Sequence, residues 1–95
     1  MRPFLQGSLG SLKIPMLYDT GSSITCISEN TFRRLPPDIR PIKQPVRLES
    51  KFQTAGGQNL RVRGLYNIPL KILDKTVTHP VYVISDLNEQ GIIGI

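Results

Sequence analysis

Met16-Leu17-Tyr18-Asp19-Thr20-Gly21-Ser22-Ser23 is the stretch on which the reading of this chain turns. Three residues with apolar bodies lead straight into a carboxylate, and small polar residues follow. Burying an ionised carboxylate without a partner is expensive, so Asp19 must be exposed in a cleft, hydrogen-bonded or held partly protonated. Each of those states suits an acid or base catalyst. Gly21 lets backbone N–H groups approach the carboxylate, while the hydroxyls of Thr20 and Ser22 can fix its orientation. Taken alone, Asp-Thr-Gly is more often an ordinary Asx-turn.

Working outward from that turn, the pattern is one of short strands. Upstream, Leu9, Leu12, Ile14 and Met16 alternate with small or polar residues, which predicts a hairpin turning at Gly7-Ser8 or at Gly10-Ser11. Downstream, Ile24-Thr25-Cys26-Ile27 is β-branched again, so the Asp19 turn lies between two buried strands. Ser28 as N-cap and Glu29 open one or two helical turns that Pro36-Pro37 stops. Residues 36–45 carry four prolines and read as an extended surface connection. Residues 46–60 read as a hairpin with Ala55-Gly56-Gly57-Gln58 at its tip, because Gly-Gly supplies the positive φ of hairpin turns. Residues 62–73 and 77–84 are further strands separated by Asp74-Lys75, with Gly64 and Pro69 marking a bulge or an edge. The chain closes on the apolar Ile92-Ile93-Gly94-Ile95. The expected class is all-β with at most one short helix.

Ninety-five residues with eight Gly, eight Pro and one Cys suit one small domain. A chain this short buries a modest share of its surface, so a partner covering more apolar area adds appreciable stability. The lone Cys26 cannot close an internal disulfide, and besides His79 almost nothing is left to build a zinc site. No apolar run approaches the ~20 residues of a membrane helix, and Met1-Arg2-Pro3 opens no signal-peptide pattern, so a soluble, reducing compartment is expected. Twelve Lys and Arg against seven Asp and Glu give a net charge of +5. Those cations are dispersed, with no aromatic platform among them, so nucleic acid is not expected as the primary ligand.

The motif around Asp19 resembles the active-site motif of aspartic proteases, and the rest of the chain resembles one subunit of a retropepsin. Ile92-Ile93-Gly94 is similar to the apolar-apolar-Gly segment that follows the last long strand in retropepsins, and the Gly56-Gly57 hairpin falls where their flap does. The order of these features and the total length match as well. Gly94-Ile95 is closer to the retrotransposon and pararetrovirus enzymes than to the Gly-Arg of many orthoretroviral ones. The resemblance implies a single retropepsin-like domain over 1–95, a closed β-barrel subunit of the acid-protease fold. It further implies an aspartic endopeptidase acting on a viral or retrotransposon polyprotein, in the cytoplasm or within virus-like particles, with no metal or organic cofactor.

Aspartic proteolysis needs two carboxylates that share a proton and a water. Glu29, Asp38, Glu49, Asp74, Asp86 and Glu89 have no comparable apolar-Asp-Thr/Ser-Gly setting, so the second carboxylate is expected from Asp19 of another copy in a symmetric homodimer. By resemblance, Thr20 bonds across the two-fold axis, Gly21 lines the substrate backbone, and Ser22 donates to the carboxylate. Phe52, Ala55, Gly56, Gly57 and Gln58 belong to the flap, and Leu87, Ile92 and Ile93 to the substrate pocket. Cys26 reads as a small core residue, His79 as a surface or strand-end residue, and Tyr18, Tyr66 and Tyr82 as packing. Retropepsins continue past this segment into a helix and a final strand that fasten the dimer, so the chain reads as shortened at its C-terminus. The competing readings are a catalytically inactive retropepsin-like binding or dimerisation module and a basic nucleic-acid-associated domain of a polyprotein.

Overall fold

The computed structural model describes residues 3–19, 24–46 and 61–94. Among them, alternating apolar and polar residues form seven strands, with one short helix between β3 and β4. In chain order these are β1 (Phe4–Leu9), β2 (Leu12–Asp19), β3 (Thr25–Ser28), α1 (Glu29–Arg33), β4 (Ile42–Gln44), β5 (Val62–Ile72), β6 (Lys75–Ile84) and β7 (Gly91–Gly94). They join in the order β1-β2-β7-β3-β6-β5-β4, and β1 also pairs with β5. Six strands therefore close into a barrel, with β4 attached to its side. The hairpin predicted over 46–60 lies outside the described residues.

Two tight hairpins shape the barrel. β1 and β2 pair from Phe4↔Leu17 to Leu9↔Leu12, so the chain reverses at Gly10-Ser11, the second of the two turns the pattern allowed. Gly10 has φ 64, a conformation open to glycine at little cost. β5 and β6 close at Ile72↔Lys75, leaving Leu73-Asp74 as the loop, one residue earlier than the pattern predicts. Here Leu73 takes φ 57 with its side chain 77% exposed.

Prolines within strands sit where a neighbour is missing, because proline offers no N–H to a ladder. Pro15 faces Gln6 across β1, whereas β7 joins the other edge of β2 only from Leu17 onward. Pro80 faces Asn67, and β3 joins β6 only from Val81. Pro69 faces Thr78, and the other edge of β5 meets β4 at Leu65–Asn67 and β1 at Lys71–Ile72, with Pro69 in between. The ladder slips between Val62 and Gly64, the bulge that Gly64 suggested. Residues 36–45 depart from the expectation of an unpaired connection. Ile42–Gln44, the proline-free triplet between Pro41 and Pro45, adds to the open edge of β5 as β4.

Strand alternation sorts adjacent apolar residues into two clusters. Leu9, Ile14, Met16, Ile27, Ile68, Leu70, Val81 and Val83 fill the barrel, with Ile93 packed against them. Leu17, Cys26, Ile84 and Ile92 form a second cluster on the other face, joined by half-buried Val62, Tyr82 and Leu87. Helix α1 begins as predicted: Ser28 has extended dihedrals (φ −69, ψ 156) and its hydroxyl accepts the Thr31 N–H. Phe32 fastens the helix by stacking on Tyr66 with ring centroids 4.7 Å apart.

Candidate active site

Strand β2 ends on Asp19, and only residues 20–24 separate it from β3. The two strands nevertheless do not pair, because β7 inserts between them. It runs parallel to β2, with Leu17↔Ile92, Tyr18↔Ile93 and Asp19↔Gly94 in register. It runs antiparallel to β3, with Cys26↔Ile92 and Ile27↔Gly91. The last rung of the parallel ladder therefore carries Asp19. The chain thus leaves β2 at Asp19 on one edge of β7 and enters β3 at Thr25 on the other. Thr20, Gly21, Ser22 and the flap residues Phe52, Ala55, Gly56, Gly57 and Gln58 lie outside the described residues.

Gly94 is sterically required at this rung. A Cβ there would lie 2.6 Å from the backbone N and C of Ile24, and backbone cannot rotate away. Beyond Cys26↔Ile92 no further rung of the β3–β7 ladder forms; instead the Thr25 hydroxyl accepts the Gly94 N–H at 3.2 Å.

The other end of β7 is tied to the start of α1. The Gln90 carbonyl accepts both the Ser28 N–H at 3.1 Å and the Thr31 hydroxyl at 2.9 Å. With its own proton committed to Gln90, Thr31 Oγ1 accepts from the Ser28 hydroxyl, 2.9 Å away. The Ser28 oxygen in turn accepts the Thr31 N–H at 3.0 Å. Arg34 Nη1 adds a bond to Gln90 Oε1 at 3.1 Å on the surface. Among the described residues no buried side-chain polar atom is left unpaired, as a buried network of this kind requires.

The three residues expected in the substrate pocket separate. Ile92 is buried, and with Leu87 it belongs to the second cluster. Ile93, the next residue, faces the barrel interior. Cys26 is core: burial pushes its thiol up from 9.0 to about 12, outweighing the opposing backbone hydrogen bond with Ile92. At pH 7 roughly one such thiol in 10⁵ is ionised, so Cys26 is no nucleophile. Tyr66 and Tyr82 pack as expected, but Tyr18, next to Asp19, is 37% exposed.

The remaining described acids lie elsewhere. Glu29 opens α1, where it pairs with Arg63 at 3.3 Å and with Arg33 at 3.5 Å. Asp86 and Glu89 are on the connection leaving β6, past the rung Ser28↔Ile84, at the end of β3 opposite Thr25. Asp74 is in the β5–β6 loop, and Asp38 follows α1.

Asp19 and Gly94 stand out in the sequence, whereas Thr25, Thr31 and Gln90 do not. Nothing in their local spacing marks them, because each acts on a residue 56 or more positions away.

A closed barrel of six strands, with β7 inserted between β2 and β3 and Asp19 on its last rung with β2, defines a retropepsin-like acid-protease fold. The family model for aspartyl proteases matches residues 5–95, and the chain belongs to that family. Among solved structures it is similar to the retroviral protease-like domain of Ddi1 from Leishmania major, with a TM-score of 0.68 and 15% identity. That match covers 99% of this chain and 70% of the other, and at this identity it speaks for the fold. A search of curated proteins found no significant match. Among the described residues no helix is long and apolar enough to cross a membrane.

Proposed function

We propose that the chain is one subunit of a homodimeric aspartic endopeptidase in which Asp19 of each copy supplies one carboxylate of the catalytic pair. The observation that carries this reading is the Asp19↔Gly94 rung: Asp19 ends β2 on the last rung of its ladder with β7, the strand between β2 and β3, in a chain whose other described acids lie elsewhere. One chain then supplies half of a site, and a two-fold axis through the turn completes it.

Two carboxylates this close cannot both ionise, so they share a proton and titrate as a pair. The ionised member takes a proton from water while the water oxygen bonds to the peptide carbonyl carbon. The protonated member gives its proton to the carbonyl oxygen, producing a neutral gem-diol. Collapse breaks the C–N bond, a proton passes to the leaving nitrogen, and one hydroxyl proton returns to the pair. Raising the pH removes the shared proton and ends activity. Thr20 locks the two turns across the axis, Gly21 lines the substrate backbone, and Ser22 donates to the carboxylate. The flap residues Phe52, Ala55, Gly56, Gly57 and Gln58 close over an extended peptide. Leu87 and Ile92 contribute to side-chain recognition from one face of β7, and Ile93 from the other. The substrate class is a polyprotein of a viral or retrotransposon type.

The test is cleavage of a hydrophobic peptide alongside molecular mass measured across protein concentration. Wild type cleaves as a dimer, and Asp19→Asn loses roughly 10²–10⁴-fold in kcat while remaining folded. A folded wild-type dimer that cleaves no better than Asp19→Asn overturns the enzymatic reading. A strictly monomeric protein that still cleaves overturns the shared site.

A further inference from the structure

We infer that Thr25 is a positioning residue for the Asp19 turn, acting through its hydrogen bond to the Gly94 backbone; the inference rests on the reading of Asp19 as catalytic. Three observations converge on it. Gly94 is in register with Asp19 on the last rung between β7 and β2. On the opposite edge, the β7–β3 register runs Ile27↔Gly91 and Cys26↔Ile92. The Gly94 N–H donates to the Thr25 side chain, at Oγ1, at 3.2 Å. The hydroxyl thus extends the sheet by one rung where the backbone ladder ends, and that rung bears the carboxylate.

The close approach of the two backbones makes this bond a fixed spacer. The room at Gly94 admits no side chain because the backbone of Ile24 fills it. Ile24 and Thr25 are the residues on which the chain lands after the Asp19 turn, so β7 touches the turn's departure point on one edge and its landing point on the other. Loosening the Thr25–Gly94 bond lets the start of β3 drift from the β7 strand that is in register with Asp19. A misplacement of about 1 Å in a catalytic constellation is enough to lower a rate on the order of 10²-fold. The hydroxyl is the operative group: valine has nearly the shape of threonine but cannot accept the N–H, whereas serine can.

The experiment compares the dimeric wild type with Thr25→Val and Thr25→Ser in two readouts. The first is amide hydrogen exchange at Gly94, which needs no activity. Exchange should quicken at least tenfold in Thr25→Val, stay near wild type in Thr25→Ser, and leave the barrel amides of Ile27 and Ile68 unchanged. The second is peptide cleavage across pH. Thr25→Val should lose tenfold or more in kcat with KM within about twofold, and the acid limb of its profile should shift, while Thr25→Ser retains both. Unchanged Gly94 exchange in a folded Thr25→Val overturns the clamp. Faster exchange with unchanged kcat and pH profile overturns the positioning role and leaves the bond purely structural. A wild type that cleaves no better than Asp19→Asn defeats the catalytic reading instead, and the positioning role with it, while the exchange result still decides whether the clamp exists.

Discussion

The two apolar clusters share the same strands yet hold different things together. The barrel interior draws on most of the strands and contains no ionisable group among its buried members. The second cluster is smaller, includes Cys26, and draws Leu17 from β2, Cys26 from β3 and Ile92 from β7, the three strands that frame the Asp19 turn. Because strand side chains alternate, Met16 and Leu17 serve different clusters, as do Ile93 and Ile92. The barrel interior therefore fixes the fold, and the second cluster fixes the register of the site within it. The same backbone is stabilised from one face and aligned from the other.

This contrast can be broken most directly with a matched pair of cavities. Ile68→Ala, at a fully buried barrel position, should lower unfolding free energy by about 4 kcal/mol, with peptide-cleaving activity per folded chain unchanged. Ile92→Ala should cost about 3 kcal/mol and also lower activity per folded chain. Denaturant titration beside activity corrected for folded fraction checks both, and equal loss of corrected activity in the two variants breaks the distinction.

Alkali should act on the second cluster through Cys26. The Cys26 thiol keeps its proton up to about 12 when folded but releases it near 9.0 when unfolded. The unfolded chain thus holds fewer protons between those values. The stabilisation is full below pH 9 and is lost as pH rises toward 12, at a slope of up to about 1.4 kcal/mol per pH unit. Wild-type stability should therefore fall more steeply than that of Cys26→Ala across this window, and parallel curves would mean the thiol does not matter.

Smaller effects probe what lies outside both clusters. Thr31→Val removes the hydroxyl bond to Gln90 and the acceptor for Ser28, and should cost roughly 1–3 kcal/mol by thermal or denaturant unfolding. Leu73→Gly relieves a left-handed conformation at an exposed loop residue. It should raise stability by about 0.5 kcal/mol, the gain being reduced by the added freedom of glycine in the unfolded chain. The Gly10 turn already has glycine at the equivalent position, which is why the two hairpins differ in this respect.

Much of the local structure was legible in the residues. Period-two patterning marked the strands around Asp19, Ser28 and Glu29 marked the helix start, and Gly64 marked the bulge. The β5–β6 loop shifted by one residue because ladder register, rather than the turn preference of Asp74-Lys75, fixed where the chain reverses. β4 escaped the reading because three residues between prolines carry too little pattern, and only the open edge of β5 makes them a strand. The pocket expectation grouped Leu87, Ile92 and Ile93, whereas alternation along β7 sends Ile93 to the opposite face from Ile92.

The sequence by itself determined which residues are on offer: one Asp-Thr-Gly per chain, and so one carboxylate in that setting. It also determined that Gly stands where Gly94 does. Only the tertiary structure decided that a strand from the chain's end would lie between β2 and β3, putting Gly94 beside Asp19 and the Thr25 hydroxyl beside Gly94. The physical reason is that propensity and periodicity act over a few residues, whereas β7 finds its neighbours some 65 to 75 positions away through the packing of its two faces.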